Sequence, residues 1–397
     1  MKTHEVMELD KKYVMNTYAR LPVVFVKGSG VKLWDTDGRE YLDFVGGIGV
    51  AAIGHCHPYV VKALTEQAAN LIHTSNLFYT EPTALLAEKL IDMTFPGKVF
   101  FANSGAEVNE AAIKLARKYA KDADLGSYVI LTAEHSFHGR TLATLAATGQ
   151  PDKHEPFKPM PAGFIHAEFN NIKSLEDAAT AGLAAVMLEV VQGEGGVNVA
   201  DYVYVEKARE ICDQSGALLI IDEVQSGLGR TGKMFAYEHY DVDPDIVTVA
   251  KGLGGGVPIG AVIASKKVHE VFEPGDHGTT FGGSPLTAAA GLAALQAIED
   301  EAMVDNAGTM GSYLINSLNV LRERVDCIAD VRGLGLMAAL ELTEPATQDV
   351  VLDCLKRGLV INKTSATTLR FLPPLIVTKD DVDAMIETLQ ASLEALC

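Results

Sequence analysis

The sequence predicts an α/β protein: a large domain with a mostly parallel sheet flanked by helices, and a smaller α+β domain. Three observations carry this prediction. Short apolar runs recur at residues 99–102, 128–132, 185–191, 218–221 and 246–250, each bounded by polar or turn residues, as in strands covered on both faces. A helical period follows the first of them, with apolar residues at 108, 111, 112, 115, 116 and 119. Finally, 397 residues that are 48% hydrophobic and 21% charged hold enough core for one big domain and a smaller one.

The charge balance narrows the partners. Lys and Arg number 33 against 52 Asp and Glu, a formal charge of −19, so nucleic acid is excluded as a main partner. The five cysteines, at 56, 212, 327, 354 and 397, are odd in number, scattered and without a C-x-x-C pair, as expected of a reducing compartment. The opening MKTHEVMELDKKY has no apolar signal-like core, and no later stretch reaches the roughly 18 apolar residues of a membrane span. A soluble cytoplasmic protein without a membrane partner is expected.

In chain order, residues 1–17 read as a short helix and an arm, and Pro22 forces an extended path after Tyr18. VKLWDTDGREYLDF alternates around Asp37-Gly38 and predicts a hairpin. His55, Cys56 and His57 invite a metal reading, but a zinc site needs a second ligand pair at short spacing and none follows; Pro58 marks a helix start instead. Ser104-x-x-Glu107 is a capping box after a strand, so a strand, a Ser-Gly turn and a helix N-terminus are juxtaposed, which is an anion-binding geometry. Beyond Pro285 the chain turns helical through Glu299, again from Met303 to Val325, and once more from Lys379, with strand patterns at 331–341, 359–362 and 368–374 between them. Domain bounds follow as 1–55 (arm and small sheet, part of the small domain), 56–290 (large domain) and 291–397 (rest of the small domain).

Several apolar strands end in groups with chemistry. LLIIDEVQ ends in Asp222 and DIVTVAKG in Lys251. A desolvated lysine can lose its proton and condense with an aldehyde, and an aspartate beside a pyridine nitrogen keeps that nitrogen protonated. Each residue alone is equally a strand cap. Phe137 and Arg140, after the 128–132 strand, supply a ring for stacking and a carboxylate fork, or else core and a surface charge. Glu189 and Glu194 follow the next strand, and Arg370 stands in an apolar strand, where burial demands an ion pair or an anionic ligand. The Gly252-Leu-Gly-Gly-Gly run is no dinucleotide fingerprint, because Val257-Pro258 follows and no helix opens there.

NSGAEVNEAAIKLAR, SFHGRT, EVVQGEGGV, DEVQSGLGRTG, AKGLGGGVPIG and HGTTFGGSPL together resemble the class III aminotransferases of pyridoxal phosphate fold type I, most similarly the acetylornithine branch. The resemblance runs from about Tyr18 to the C-terminal helix. It implies the fold of pyridoxal-phosphate-dependent transferases and the cofactor pyridoxal 5'-phosphate, carried by Lys251 with Asp222 on its ring nitrogen. It places the phosphate on Ser104, Gly105 and Ala106, although relatives often have threonine where Ala106 stands, so a hydroxyl contact is lost here. It stacks Phe137 on the ring and sets Gln225 at the phenolic oxygen. It gives Arg140 and Arg370 substrate carboxylates, Glu194 as a movable partner of Arg370, Glu189 as an anchor behind the substrate and Tyr18 as a gate.

The resemblance further implies a homodimer in which Thr280 reaches the neighbouring subunit's cofactor. The expected partners are a small amine donor and 2-oxoglutarate. The reaction it implies passes the δ-amino group of N2-acetyl-L-ornithine to 2-oxoglutarate, in arginine biosynthesis. Ornithine, succinylornithine and 4-aminobutyrate are the alternative donors, and an inactive binding module is the alternative from another class.

Overall fold

The computed structural model describes residues 1–396. Its centre is a seven-stranded sheet, whose strands we label in chain order: β1 Gly97–Ala102, β2 Ile130–Ala133, β3 Phe164–Ala167, β4 Ala185–Leu188, β5 Leu218–Asp222, β6 Ile246–Val249 and β7 Gly260–Ser265. They lie in the order β1-β7-β6-β5-β4-β2-β3. Only β7 runs against its neighbours. Every residue of β2, β4, β5 and β6 is buried, so these strands carry apolar side chains on both faces instead of alternating.

Parallel strands share a direction, so the carboxyl ends of β1, β2, β4, β5 and β6 open on one side of the sheet. In open α/β sheets that side forms the ligand crevice. This topology gathers at one edge residues that lie far apart in the chain: Ser104 after β1, Phe137 after β2, Glu189 after β4, Asp222 at the end of β5 and Lys251 after β6.

Two four-stranded sheets flank this body, and a two-stranded one pairs Val191–Gln192 with Asn198–Val199. One pairs Phe25–Ser29, Lys32–Asp35 and Glu40–Asp43 with Leu359–Val360, so the two ends of the chain meet in it, Leu359 opposite Leu42. The expected hairpin forms, with Gly38 at φ +80° closing its turn. The other sheet is antiparallel and joins Ile328–Leu334, Met337–Leu342, Thr368–Phe371 and Asn362–Lys363. Leu340 and Phe371 of this sheet belong to the same continuous core as Leu219 and Ile221 of β5, so Arg370 is held against the large sheet by packing.

The three helices expected in the C-terminal part span Pro285–Asp300, Met303–Arg322 and Lys379–Leu396. His55 pairs with Asp43 (2.7 Å), while His57 meets Glu301 (3.2 Å) and accepts the Tyr59 N–H (3.3 Å), capping the Pro58–Asn70 helix. Cys56, Cys212 and Cys354 are free thiols, but Cys327 is disulfide-bonded, an exception to the reducing-compartment pattern; Cys397 lies outside the described residues. Among the described residues no helix is long and apolar enough to cross a membrane.

Candidate active site

At the crevice the side chains close around a cavity of about 240 Å³ lined by Gly105, Ala106, Phe137, Arg140, Glu189, Glu194, Asp222, Gln225 and Lys251, with Asn109, His138, Gly139 and Val224. An adjoining cavity of about 250 Å³ shares Gly105 and Lys251 and adds Ser104 and Gly256. Of the site residues singled out from the sequence, all but Arg370, Tyr18 and Thr280 line these two cavities, and Arg370 joins them through Glu194.

The Gly105–Asp122 helix forms the anion end. Ser104 Oγ accepts the Glu107 N–H (3.2 Å), while the Glu107 carboxylate reaches back to the Asn103 N–H (2.6 Å), one residue before the position a capping box uses. Gly105 and Ala106 line the cavity, and their N–H groups, which precede the first intrahelical hydrogen bond, favour a bound anion together with the helix dipole.

Asp222 is buried with each carboxylate oxygen placed. Oδ1 accepts the Val224 N–H (3.0 Å); Oδ2 accepts Asn109 Nδ2 (2.7 Å) and meets His138 Nδ1 (2.8 Å). Asn109 also donates to the His138 carbonyl (2.8 Å) and accepts from Thr248 Oγ1 (2.8 Å). Burial works against a charge on His138, yet the hydrogen bond and charge of Asp222, joined by Glu189, raise its pKa above the ordinary histidine value.

Sequence reasoning passed over both Asn109 and His138. The signals were there: His138 lies inside SFHGRT, and Asn109 is an amide at i+4 from Gly105, next to the apolar helix face.

Lys251 follows β6 with φ +40°, a backbone conformation rare outside glycine, and opens a single helical turn at Lys251–Gly254. Burial above all pulls its ammonium pKa down to about 8, against the attraction of Glu194. The glycines behind it serve packing: a Cβ on Gly252 would lie 3.1 Å from the Ala52 methyl, and one on Gly255 2.9 Å from Val60. Of this run only Gly256 lines a cavity with Lys251, so close passage of a ligand does not account for Gly252 or Gly255.

Glu189 accepts the Phe137 N–H at 2.7 Å, which fixes the backbone that carries the ring. Its burial pushes the carboxyl up to about 8. Arg140 is exposed, its guanidinium 5.6 Å from the Phe137 ring centre.

Arg370 is almost wholly buried at 1% exposure and donates from Nη1 to Glu194 Oε1 (2.6 Å) and the Gly193 carbonyl (2.9 Å). Burial would raise the Glu194 carboxyl, but the Arg370 guanidinium outweighs it and holds it at about 2. Gln225 spans the pair, donating to Glu194 and accepting from Arg370, each at 3.4 Å. Its amide lies so close to Gly193 that a Cβ there would meet Oε1 at 1.7 Å, so a side chain at 193 would displace the Gln225 amide from this bridge.

Tyr18 and Thr280 stand apart. Tyr18 is 70% exposed beside a cavity under the N-terminal arm. Thr280 lines a separate cavity with His73, Asn76 and Tyr79. A single chain does not bring either of them to Lys251.

Residues 13–393 match the Aminotransferase class-III family. The acetylornithine aminotransferase of Methanocaldococcus jannaschii is 51% identical over 384 residues, 96% of each chain. Among solved structures, that of the acetylornithine aminotransferase from Elizabethkingia anophelis superposes with TM-score 0.90 at 32% identity and full coverage of both chains. An ornithine aminotransferase from Toxoplasma gondii, described with pyridoxal phosphate at its active site, gives TM-score 0.95 at 35% identity, covering 100% of this chain and 95% of its own. With a family match that leaves out only the chain's extreme ends, and half of its residues shared with one relative, this protein belongs to the class III aminotransferases and is a pyridoxal-phosphate-dependent enzyme.

Proposed function

We propose that the protein passes the δ-amino group of N2-acetyl-L-ornithine to 2-oxoglutarate, yielding N-acetyl-L-glutamate 5-semialdehyde and L-glutamate, a step of arginine biosynthesis in the cytoplasm. The names of its relatives support the donor. The observation that carries the reading is the buried Arg370–Glu194 pair beside Lys251. A guanidinium at that depth binds a carboxylate, and a glutamate that can cover or release it lets one site serve a monocarboxylate amine and then a dicarboxylate.

The cavity fits the cofactor on chemical grounds: two unclaimed helix N–H groups for a phosphate, an aspartate already oriented by Asn109 and His138, an amine with a lowered pKa, and the apolar walls of Phe137 and Val224. When bound, the cofactor supplies an aldehyde that carries the amino group between half-reactions and a ring that accepts electrons. The protein's own groups do the rest. Gly105 and Ala106 N–H, with Ser104 beside them, hold the phosphate. The Asp222 carboxylate would stabilise a proton on the ring nitrogen. Lys251 Nζ, neutral in a substantial fraction near pH 8, acts as nucleophile and then takes the proton from the carbon bearing the amine.

Phe137, anchored through its N–H by Glu189, keeps the ring plane, and Gln225 turns from the Arg370–Glu194 pair to the phenolic oxygen. Arg370 takes the α-carboxylate and Arg140 a second carboxylate. Tyr18 and Thr280 act in a homodimer, Thr280 toward the neighbouring subunit's phosphate.

Single-turnover reaction of the cofactor-loaded enzyme with acetylornithine, ornithine, succinylornithine and 4-aminobutyrate tests the donor through loss of the lysine-bound cofactor absorbance. Fast loss with acetylornithine and slow loss with the others is the expected result. Ornithine is the second reading, favoured by the likeness to the Toxoplasma gondii enzyme, and a faster reaction with it would displace the first.

Arg370→Ala removes a charge-assisted contact of about 1.5–3 kcal/mol. It is expected to lower kcat/KM for acetylornithine roughly 10- to 100-fold while sparing simple ω-amines without a carboxylate. Equal losses for both kinds of donor would refute its carboxylate role.

A further inference from the structure

The ring of Phe137 carries a second cation besides Arg140. Lys153 Nζ lies 4.9 Å from the ring centre and the Arg140 guanidinium 5.6 Å. Lys153 stands on the short turn Pro151–His154 and is partly buried. Burial first, and the like charge of Arg140 second, hold its pKa below the ordinary lysine value. Among the described residues neither cation has a carboxylate in ion-pair contact.

The acids whose fields reach Lys153 are committed elsewhere. Glu194 is bound to Arg370 at 2.6 Å, and Glu189 accepts the Phe137 N–H at 2.7 Å with its carboxyl pushed up to about 8. The partly buried Lys153 and the exposed Arg140 therefore place two like charges on one ring that lines the cavity, neither with a counter-ion, and an anion between them would offset their repulsion and the burial of Lys153.

We propose that Lys153 is a specificity-determining residue for the acceptor: together with Arg140 it binds one carboxylate of a dicarboxylate substrate, while Arg370 binds the other. The inference rests on the reading of Arg140 as a carboxylate ligand. It means that the preference for a dicarboxylate is set by two cations of different kinds. Arg140 is a planar fork and Lys153 a point charge on a flexible stem, placed so that the stem can follow the carboxylate. Cation–π attraction to Phe137 keeps the ammonium over the ring when the site is empty.

The test uses the cofactor-loaded enzyme as wild type, Lys153→Met, Lys153→Arg and Arg140→Met. It measures kcat and KM for 2-oxoglutarate, inhibition constants for glutarate (two carboxylates) and butyrate (one), and the dissociation constant of the cofactor. Lys153→Met is expected to raise the 2-oxoglutarate KM and the glutarate constant about 5- to 20-fold, the lower range for a charge-assisted contact that keeps some solvent. Turnover at saturation, the butyrate constant and cofactor affinity should stay within about 2-fold, and Lys153→Arg should restore dicarboxylate binding.

Equal changes for glutarate and butyrate, or a change in cofactor affinity alone, would mean that Lys153 acts only through the seating of Phe137 and would overturn the proposal. So would unchanged constants throughout. Arg140→Met separates the two claims: if it leaves the dicarboxylate constants untouched while Lys153→Met raises them, the reading of Arg140 fails and the assignment of Lys153 is upheld.

Discussion

Lys251→Ala is expected to lower turnover by at least about 10⁴-fold, because a single side chain serves as nucleophile and as proton carrier, and general acid–base work alone contributes about 10²–10⁴. Among the described residues Lys251 is the one amine lining the cavity, and its burial lowers the pKa to about 8, so no other lining residue can substitute for it. The variant should still bind the cofactor through the Gly105–Ala106 N–H groups and Asp222, but without the absorbance of the lysine-bound form. Alanine keeps the Cβ that lysine has, so the backbone at φ +40° is no more strained than before, and retained cofactor binding would show that lost activity does not reflect lost structure. Partial rescue by added small amines would confirm that the missing group is the amine. Retention of both absorbance and turnover would remove Lys251 from the mechanism.

The second large effect is expected at Asp222. Asp222→Asn keeps the shape but removes the charge that holds a proton on the ring nitrogen, and should reduce kcat about 10²–10³-fold, the scale for loss of one preorganised electrostatic contact. The carboxylate is also the partner of a buried histidine. Asp222→Ala leaves His138 uncompensated and should cost stability on the order of 3–5 kcal/mol near neutral pH, the range for one partner removed from a buried pair.

The pH dependence follows from the direction of the His138 shift. Its folded pKa lies above the ordinary histidine value, so the pair stabilises the fold in full below about pH 6.5 and that contribution is lost as pH rises through the folded pKa. Denaturation of wild type and Asp222→Ala across pH 6 to 9 should show the gap between them narrowing toward alkaline pH. A gap that widens, or a full-strength Asp222→Asn enzyme, would contradict the arrangement.

Much of the site was legible because its groups stand at strand ends. An apolar run such as LLIID or DIVTVAK announces a buried strand, and a charged residue that terminates it announces a function, so Asp222 and Lys251 were visible one segment at a time. The same holds for Ser104 at a helix start and for Arg370, whose charge has no place in an apolar strand without a partner. Motif resemblance then supplied the shared chemistry of these segments.

What could not be read locally depends on distance in the chain. Asn109 and His138 meet Asp222 across 113 and 84 residues, and nothing in their own segments says that one carboxylate receives both. The bridge that Gln225 makes between Glu194 and Arg370 spans 31 and 145 residues and is likewise invisible in its own segment. Lys153, on a four-residue turn with no periodic pattern, gains meaning only beside Phe137 and Arg140. Tyr18 and Thr280 illustrate the reverse case, for their motif positions were plain but one chain places them at other cavities.

The sequence by itself determined the main strands and helices, the family and the polar groups that stand at the strand ends. These are properties of short segments, in which hydrophobic period and capping act over a few residues. The tertiary structure alone decided which groups share a carboxylate, which acids are already paired and which cations are left without an anion. Those outcomes are set by parallel strands that open their carboxyl ends onto one crevice, and by a continuous core that holds the strand of Arg370 against it.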